Sequence, residues 1–289
     1  ADWLDRAKQS LNSGDEVIIP SPFWLSYPEM VTVLGGKSVI IPTDEATEFK
    51  LTPALLKKHL TPRSKILILN SPSNPTGAVY SKEELSALVK VLQSAPEVVI
   101  LSDEIYEKLI FDGKKHYSIA SLDPEIAKRT VVVNGLSKAY SMTGWRLGYV
   151  ACPWPELAKA VGSIQSHSTS NPVSFAQAGA VVALERGDVE AAKMCAVFEK
   201  RRDRFCERIA KIPGLKPFKS QGAFYLFVNI QGTGLDSLSL CKSLLEEAHV
   251  AAVPGKPFGS DAHIRLSFAS SDADLERAAQ RIEDWLKKK

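Results

Sequence analysis

Short β-branched runs recur through the first half of the chain, and stretches with helical spacing separate them. Glu16-Val17-Ile18-Ile19, Ser38-Val39-Ile40-Ile41, Lys65-Ile66-Leu67-Ile68-Leu69, Glu97-Val98-Val99-Ile100-Leu101-Ser102 and Thr130-Val131-Val132-Val133 read as strands. Apolar runs this short and this continuous suit strands covered on both faces. Lys82 to Gln93 reads as a helix between two of them. The alternation predicts βαβ units and an α/β fold, with a mostly parallel sheet flanked by helices. From about Pro172 to Ile212 the pattern is helical, through Ala176-Gln177-Ala178 and then Glu190 to Ala210, with Gly187 as the expected break. Beyond it, Gly222 to Val228, a helix from about Ser237 to His249, Val250 to Val253, His263 to Phe268 and a last helix from about Asp272 predict a compact α+β region. The expected division is a large domain over 1–188 and a smaller C-terminal α+β domain over 189–289. No internal repeat or low-complexity segment interrupts this order.

Composition narrows the function classes. The chain has 289 residues, 45% of them hydrophobic, enough for a full core. A formal net charge of +3, with basic residues dispersed, argues against a nucleic-acid partner. Lys287-Lys288-Lys289 reads as a solvated helix end favoured by the helix dipole. No apolar run reaches membrane-spanning length and no signal peptide is visible, which predicts a cytoplasmic protein without a membrane partner. Cys152, Cys195, Cys206 and Cys241 lack metal-ligand spacing and read as free thiols, so no metal is expected. His167, within Ser166 to Ser170, reads as a structural residue of a polar loop.

The candidate chemistry lies where three strands end. Asn134-Gly135-Leu136-Ser137-Lys138-Ala139-Tyr140 places a lysine on a small-residue turn after a strand, with Arg146 following in Thr143 to Tyr149. A lysine whose pKa is lowered by burial or nearby cations can form a Schiff base with an aldehyde. Ser137 and Arg146 can bind a phosphate on the same molecule. The alternative for such a lysine is a solvated surface group. Asp103 opens Asp103-Glu104-Ile105-Tyr106-Glu107 after another strand. An acid there faces the crevice where open α/β sheets bind ligands, and it can hold a pyridine nitrogen protonated. Its alternative is a helix-capping role. Tyr106 is placed to donate to a ring oxygen. Asn70-Ser71-Pro72-Ser73-Asn74-Pro75-Thr76-Gly77 follows a third strand, and its prolines and glycine present Asn74 on a fixed loop.

Asn74-Pro75-Thr76-Gly77, Asp103-Glu104-Ile105-Tyr106, Ser137-Lys138 and Gly144-Trp145-Arg146-Leu147-Gly148 resemble the class I and II pyridoxal-phosphate (PLP) aminotransferases in order and spacing, from about Gly14 to the C-terminus. Pro20-Ser21-Pro22-Phe23-Trp24-Leu25-Ser26-Tyr27-Pro28 narrows the resemblance to the bacterial and plastid aspartate aminotransferase branch, which includes enzymes accepting prephenate. It implies the PLP-transferase fold type I, with a seven-stranded-type sheet, and pyridoxal 5'-phosphate as cofactor. It also implies that Lys138 forms the internal aldimine and moves the proton. Asp103 would pair with the pyridine nitrogen, and Asn74 and Tyr106 with the phenolic oxygen. Trp24 would stack on the ring, Ser137 and Arg146 would grip the phosphate, and Arg265 would clamp the substrate α-carboxylate. Trp24 and Asn74 would also meet the substrate.

The implied reaction is transamination between aspartate or glutamate and a 2-oxo acid, in a homodimer, with a plastid location if the source is plant or algal. Aromatic or prephenate transamination, and a non-catalytic cofactor-binding homologue, remain as alternatives. Family members usually carry more chain at the N-terminal side, including a partner-reaching tyrosine and a glycine-rich phosphate turn, so full activity is an open expectation. Arg6-Ala7-Lys8-Gln9-Ser10-Leu11 resembles the branch's Gly-Ala-Lys-Gln-Ser stretch, whose lysine meets the distal substrate carboxylate. A gapless reading, which we prefer, instead makes 1–12 the end of a helix with Lys8 solvated.

Overall fold

The computed structural model describes residues 11–289; Lys8 therefore lies outside the described residues. Its strands are β1 (Glu16–Ser21), β2 (Lys37–Pro42), β3 (Ser64–Asn70), β4 (Val99–Asp103), β5 (Thr130–Gly135), β6 (Gly148–Ala151), β7 (Lys216–Phe218), β8 (Tyr225–Asn229), β9 (Val253–Pro254) and β10 (His263–Ser267). The α-helices are α1 (Ser26–Val33), α2 (Pro53–His59), α3 (Lys82–Leu92), α4 (Pro124–Ala127), α5 (Leu136–Ala139), α6 (Pro155–Ser168), α7 (Ser174–Arg186), α8 (Asp188–Ala210), α9 (Ser237–Glu246) and α10 (Asp272–Leu286).

The first sheet has the order β2-β1-β3-β4-β5-β6. It has six strands among the described residues, where the resemblance implies a seven-stranded type. The first five strands run parallel, and their βαβ connections place α3 between β3 and β4. β6 runs antiparallel to β5 because the intervening turns return the chain from the end it left, without a crossover. Val17, Ile18 and Ile19 on β1 are all buried, as expected of a strand covered on both faces. α3 begins with a capping box in which Ser81 and Glu84 exchange hydrogen bonds, and it buries Leu85, Leu88, Val89 and Leu92 on one stripe. Each such leucine contributes about 1.5–3 kcal/mol of burial.

The second sheet, β7-β8-β10-β9, is antiparallel and packs with α8, α9 and α10 around Leu226, Val228, Leu244, Ile264 and Ile282. Gly187 separates α7 from α8, as the sequence suggested. Two expectations change. β9 is only Val253–Pro254, because only those two residues of the run pair with β10, at Arg265 and Ile264. His167 lies in the last turn of α6 rather than in a loop. The hydroxyls of Ser166 and Ser168 bond back to Ser163 O and Ile164 O, which lets a polar run continue a helix.

Candidate active site

The C-terminal ends of β3, β4 and β5 lie side by side, with Asn70 in register with Asp103, and Asp103 with Val133. This is the edge at which parallel sheets bind ligands, and Asn74, Asp103 and Lys138 all follow from it. Asn70 bridges the first two loops: its side-chain amide donates to Asp103 O at 3.0 Å and its Oδ1 accepts from Asn74 N at 2.8 Å. Gly77 closes the Asn74 loop with φ +71°, and a Cβ there would come within 2.4 Å of Ser220 Cβ. Only glycine allows the loop to dock against the 220–222 segment, whose Gln221 and Gly222 amides donate to Gly77 O at 2.9 Å.

Asp103 does not cap a helix. Its Oδ1 accepts from Ile105 N at 3.2 Å, and its Oδ2 accepts from the Tyr27 hydroxyl at 2.5 Å. Burial raises the Asp103 pKa against the lowering effect of the Tyr27 bond. Burial and the adjoining Asp103 charge hold the Tyr27 phenol well above its ordinary value. Tyr27 in turn meets the Trp24 ring edge-on at 5.3 Å, which places Trp24 beside the Asp103 end of the site. Next to Asp103, the buried Glu104 accepts from Ser102, Ser118 and His116 at 2.9, 2.7 and 2.8 Å.

Lys138 occupies the single turn of α5. Gly135 and Gly148 make that turn fit, since a Cβ on Gly135 would lie 2.9 Å from Gly148 Cα. Thr143 Oγ1 donates to Ser137 O at 2.9 Å and Arg146 Nη1 to Thr143 O at 3.0 Å, so the Ser137 and Arg146 segments form one exposed shelf. The Lys138 pKa is lowered by burial first, then by the Arg146 and Arg265 charges. Its ammonium nitrogen also lies 5.6 Å from the Phe224 ring centre.

Arg265 enters from β10 of the second sheet. Its Nη1 donates to Asn74 Oδ1 at 2.8 Å, and its guanidinium lies over the Tyr225 and Phe258 rings at 4.3 and 5.0 Å. Its Nε is buried without a partner. Among the described residues, no carboxylate lies within ion-pair distance of Lys138, Arg146 or Arg265. Three cationic side chains thus converge without a counter-ion on an edge that also presents an acid and two hydroxyl-bearing tyrosines. The donor set fits a molecule with a phosphate, an aldehyde, a ring oxygen and a protonatable ring nitrogen, together with a carboxylate ligand for Arg265.

Sequence reading missed Tyr27 and Tyr225. Tyr27 lies within the Pro20–Pro28 stretch, where it had no assigned role. Tyr225 looks like any inward residue of an apolar strand; in the fold its hydroxyl lies 2.9 Å from that of Tyr106.

Residues 4–282 match the family described as aminotransferase class I and II. The aspartate aminotransferase of Geobacillus stearothermophilus is 47% identical over 283 residues, covering 96% of this chain and 71% of that protein. The aspartate/prephenate aminotransferase of Nitrosomonas europaea is 41% identical over 288 residues, covering 96% of this chain and 72% of that protein. The crystal structure of the aspartate aminotransferase from Rhizobium meliloti superimposes with a TM-score of 0.91 at 40% identity, covering 99% of this chain and 74% of that one. With a family match over nearly its whole length and a strand-end site of this chemistry, the chain belongs to the class I and II aminotransferases.

Proposed function

We propose that this aminotransferase binds pyridoxal 5'-phosphate and moves an amino group between aspartate or glutamate and a 2-oxo acid. The observation that carries the reading is the Lys138 amine, with its pKa lowered, set among Arg146 and Arg265 without a carboxylate counter-ion. When bound, pyridoxal phosphate supplies an aldehyde that condenses with amines and a protonated ring that draws electrons. In this reading Lys138 is the condensing amine, and it later carries the proton to and from the substrate α-carbon. A lowered pKa moves it toward the neutral form both tasks need.

Asp103, fixed by Tyr27 and Ile105, holds the proton on the ring nitrogen. Asn74 keeps its amide N–H free for the ring oxygen because its Oδ1 is used by Arg265. Tyr106 donates to the same oxygen, Trp24 covers the ring face and meets the substrate, and Ser137 with Arg146 binds the phosphate. Arg265 takes the substrate α-carboxylate as a bidentate pair, which would satisfy its buried Nε.

Residues 1–188 act as the cofactor-binding domain and 189–289 as the small domain that brings Arg265. The dicarboxylate preference rests on relatives named aspartate aminotransferase; the name aspartate/prephenate aminotransferase supports aromatic or prephenate transamination as the second reading. A cytoplasmic homodimer completes the proposal, the dimer supported by exposed apolar side chains: Trp145, next to Arg146 and against Phe175, and Ile164, Val181 and Val182 on α6 and α7. Among the described residues, no helix is long and apolar enough to cross a membrane.

The test is an absorption spectrum of the protein with pyridoxal phosphate, before and after aspartate. A pH-sensitive long-wavelength band that gives way to a shorter-wavelength one supports the reading. A band that stays unchanged with aspartate and glutamate but responds to an aromatic donor supports the second. No band at all leaves a non-catalytic homologue.

A further inference from the structure

Tyr225 belongs to the second sheet, yet it touches both halves of the site. On the antiparallel β8–β10 pair, Arg265 stands opposite Phe227, and Tyr225 stands two residues earlier on β8, opposite Ser267. Tyr225 and Arg265 are therefore diagonal neighbours on one face of the sheet. This places the Tyr225 ring 4.3 Å beneath the Arg265 guanidinium. At its other end, the Tyr225 hydroxyl lies 2.9 Å from the Tyr106 hydroxyl, with the two rings edge-on at 5.9 Å. Both tyrosines are buried.

A tyrosine hydroxyl has one proton to give. If Tyr106 spends it on Tyr225, none remains for a ring oxygen above it. The pair works with a bound cofactor only in the opposite sense, Tyr225 donating to Tyr106 and Tyr106 to the ring oxygen. Donation into the Tyr106 oxygen polarises its O–H bond, and such chains strengthen each member. The Tyr225 ring face meanwhile offers a desolvated cation–π seat to the arginine.

We propose that Tyr225 is a positioning residue with two separable tasks: its hydroxyl orients and strengthens Tyr106 as a donor to the cofactor ring oxygen, and its ring holds Arg265 in place for the substrate carboxylate. The inference rests on the pyridoxal-phosphate reading. One side chain of the second sheet thereby links substrate capture to the electronics of the cofactor.

Tyr225→Phe and Tyr225→Leu separate the tasks. The first readout is the pH midpoint of the bound chromophore's absorbance. A weaker donor to the ring oxygen leaves its negative charge less stabilised once the proton has left, so losing the Tyr225 hydroxyl raises the midpoint. We expect a rise of roughly 0.2 to 0.6 of a pH unit in both variants. The second readout is the calorimetric Kd of succinate, a dicarboxylate without an amine, on the cofactor-loaded protein. Phenylalanine keeps the ring face, so Tyr225→Phe should bind succinate within about twofold of the parent, while Tyr225→Leu weakens it roughly 3- to 30-fold.

A parent-like midpoint in Tyr225→Phe overturns the donor task. Equal succinate affinities in the two variants overturn the seating task. A parent protein that never forms a pH-sensitive band removes the cofactor reading and this inference with it, whereas a normal parent band with unmoved variants removes the inference alone.

Discussion

Two arginines lie where the two sheets meet, Arg202 fully buried and Arg265 half-buried, and their surroundings differ in kind. Arg202, on α8, has a fully buried side chain, and its charge is matched. Asp112 takes it bidentately at 2.7 and 2.8 Å, Asp203 lies at 2.9 Å, and Ser220 O accepts at 2.7 Å. It ties the 110–114 loop, the long helix and the 219–222 segment into one block. Arg265 has aromatic faces and one amide oxygen, but no carboxylate among the described residues. A buried charge costs several kcal/mol unless it is paired. A charge answered by the protein is architecture, and one left unanswered beside a lysine of lowered pKa is the feature on which the proposed function rests.

The largest effect that could break this contrast is at Lys138, the amine beside the unanswered arginine. Lys138→Ala should lower transamination by at least about 10⁴-fold while cofactor still binds reversibly, measured by turnover and equilibrium dialysis. Retained turnover would remove the assignment. Arg265→Leu should lower kcat/KM for aspartate by roughly 10²- to 10³-fold without an equal loss of folding stability. Arg202→Met should behave in the opposite way. It should reduce unfolding free energy by about 3 kcal/mol, the lower end for a broken buried pair because Asp112 is partly exposed, with the denaturant midpoint falling at constant slope. Activity per folded molecule should survive. If Arg202→Met instead spared stability and abolished catalysis, the division between the two arginines would be wrong.

Two smaller changes sharpen the picture at the acid end. Tyr27→Phe removes a donor to Asp103, raises the carboxyl's pKa further, and should weaken cofactor retention roughly tenfold, read by dialysis or band intensity. Glu104 supplies the pH test. Burial, the largest influence, pushes its pKa up, but the bonds from His116, Ser118 and Ser102 outweigh it and hold the pKa below the ordinary 4.5. Its contribution to stability is therefore present above about pH 4.5 and lost as pH falls through the lowered folded value. Below pH 4.5, Glu104→Gln should flatten the acid limb of an unfolding-midpoint profile. An unchanged limb would show that other carboxylates govern it. Asp103 has the opposite sign, because its raised pKa favours the protonated folded state.

Much of this was legible in the chain itself. Asn74, Asp103 and Lys138 each follow an apolar run, and punctuation by Pro72, Pro75, Gly77 and Gly135 marks where those runs end. Local steric rules and hydrophobic periodicity reach that far, because they act within a few residues. They also separated the parallel sheet from the α+β region and located the Gly187 break. They failed at His167, where side-chain hydroxyls bonding back to the helix outweighed a loop-like composition.

The sequence by itself thus determined the strand-end loops, their chemistry and the α/β class. Tertiary structure alone decided which partner each group received. Tyr27 meets Asp103, Tyr225 meets Tyr106, and Arg265 meets Asn74 across separations of 76, 119 and 191 residues. No periodicity encodes such pairs. They exist because the sheets are packed in one register, and the same packing decides that Arg202 is neutralised by the protein while Arg265 has no carboxylate partner among the described residues.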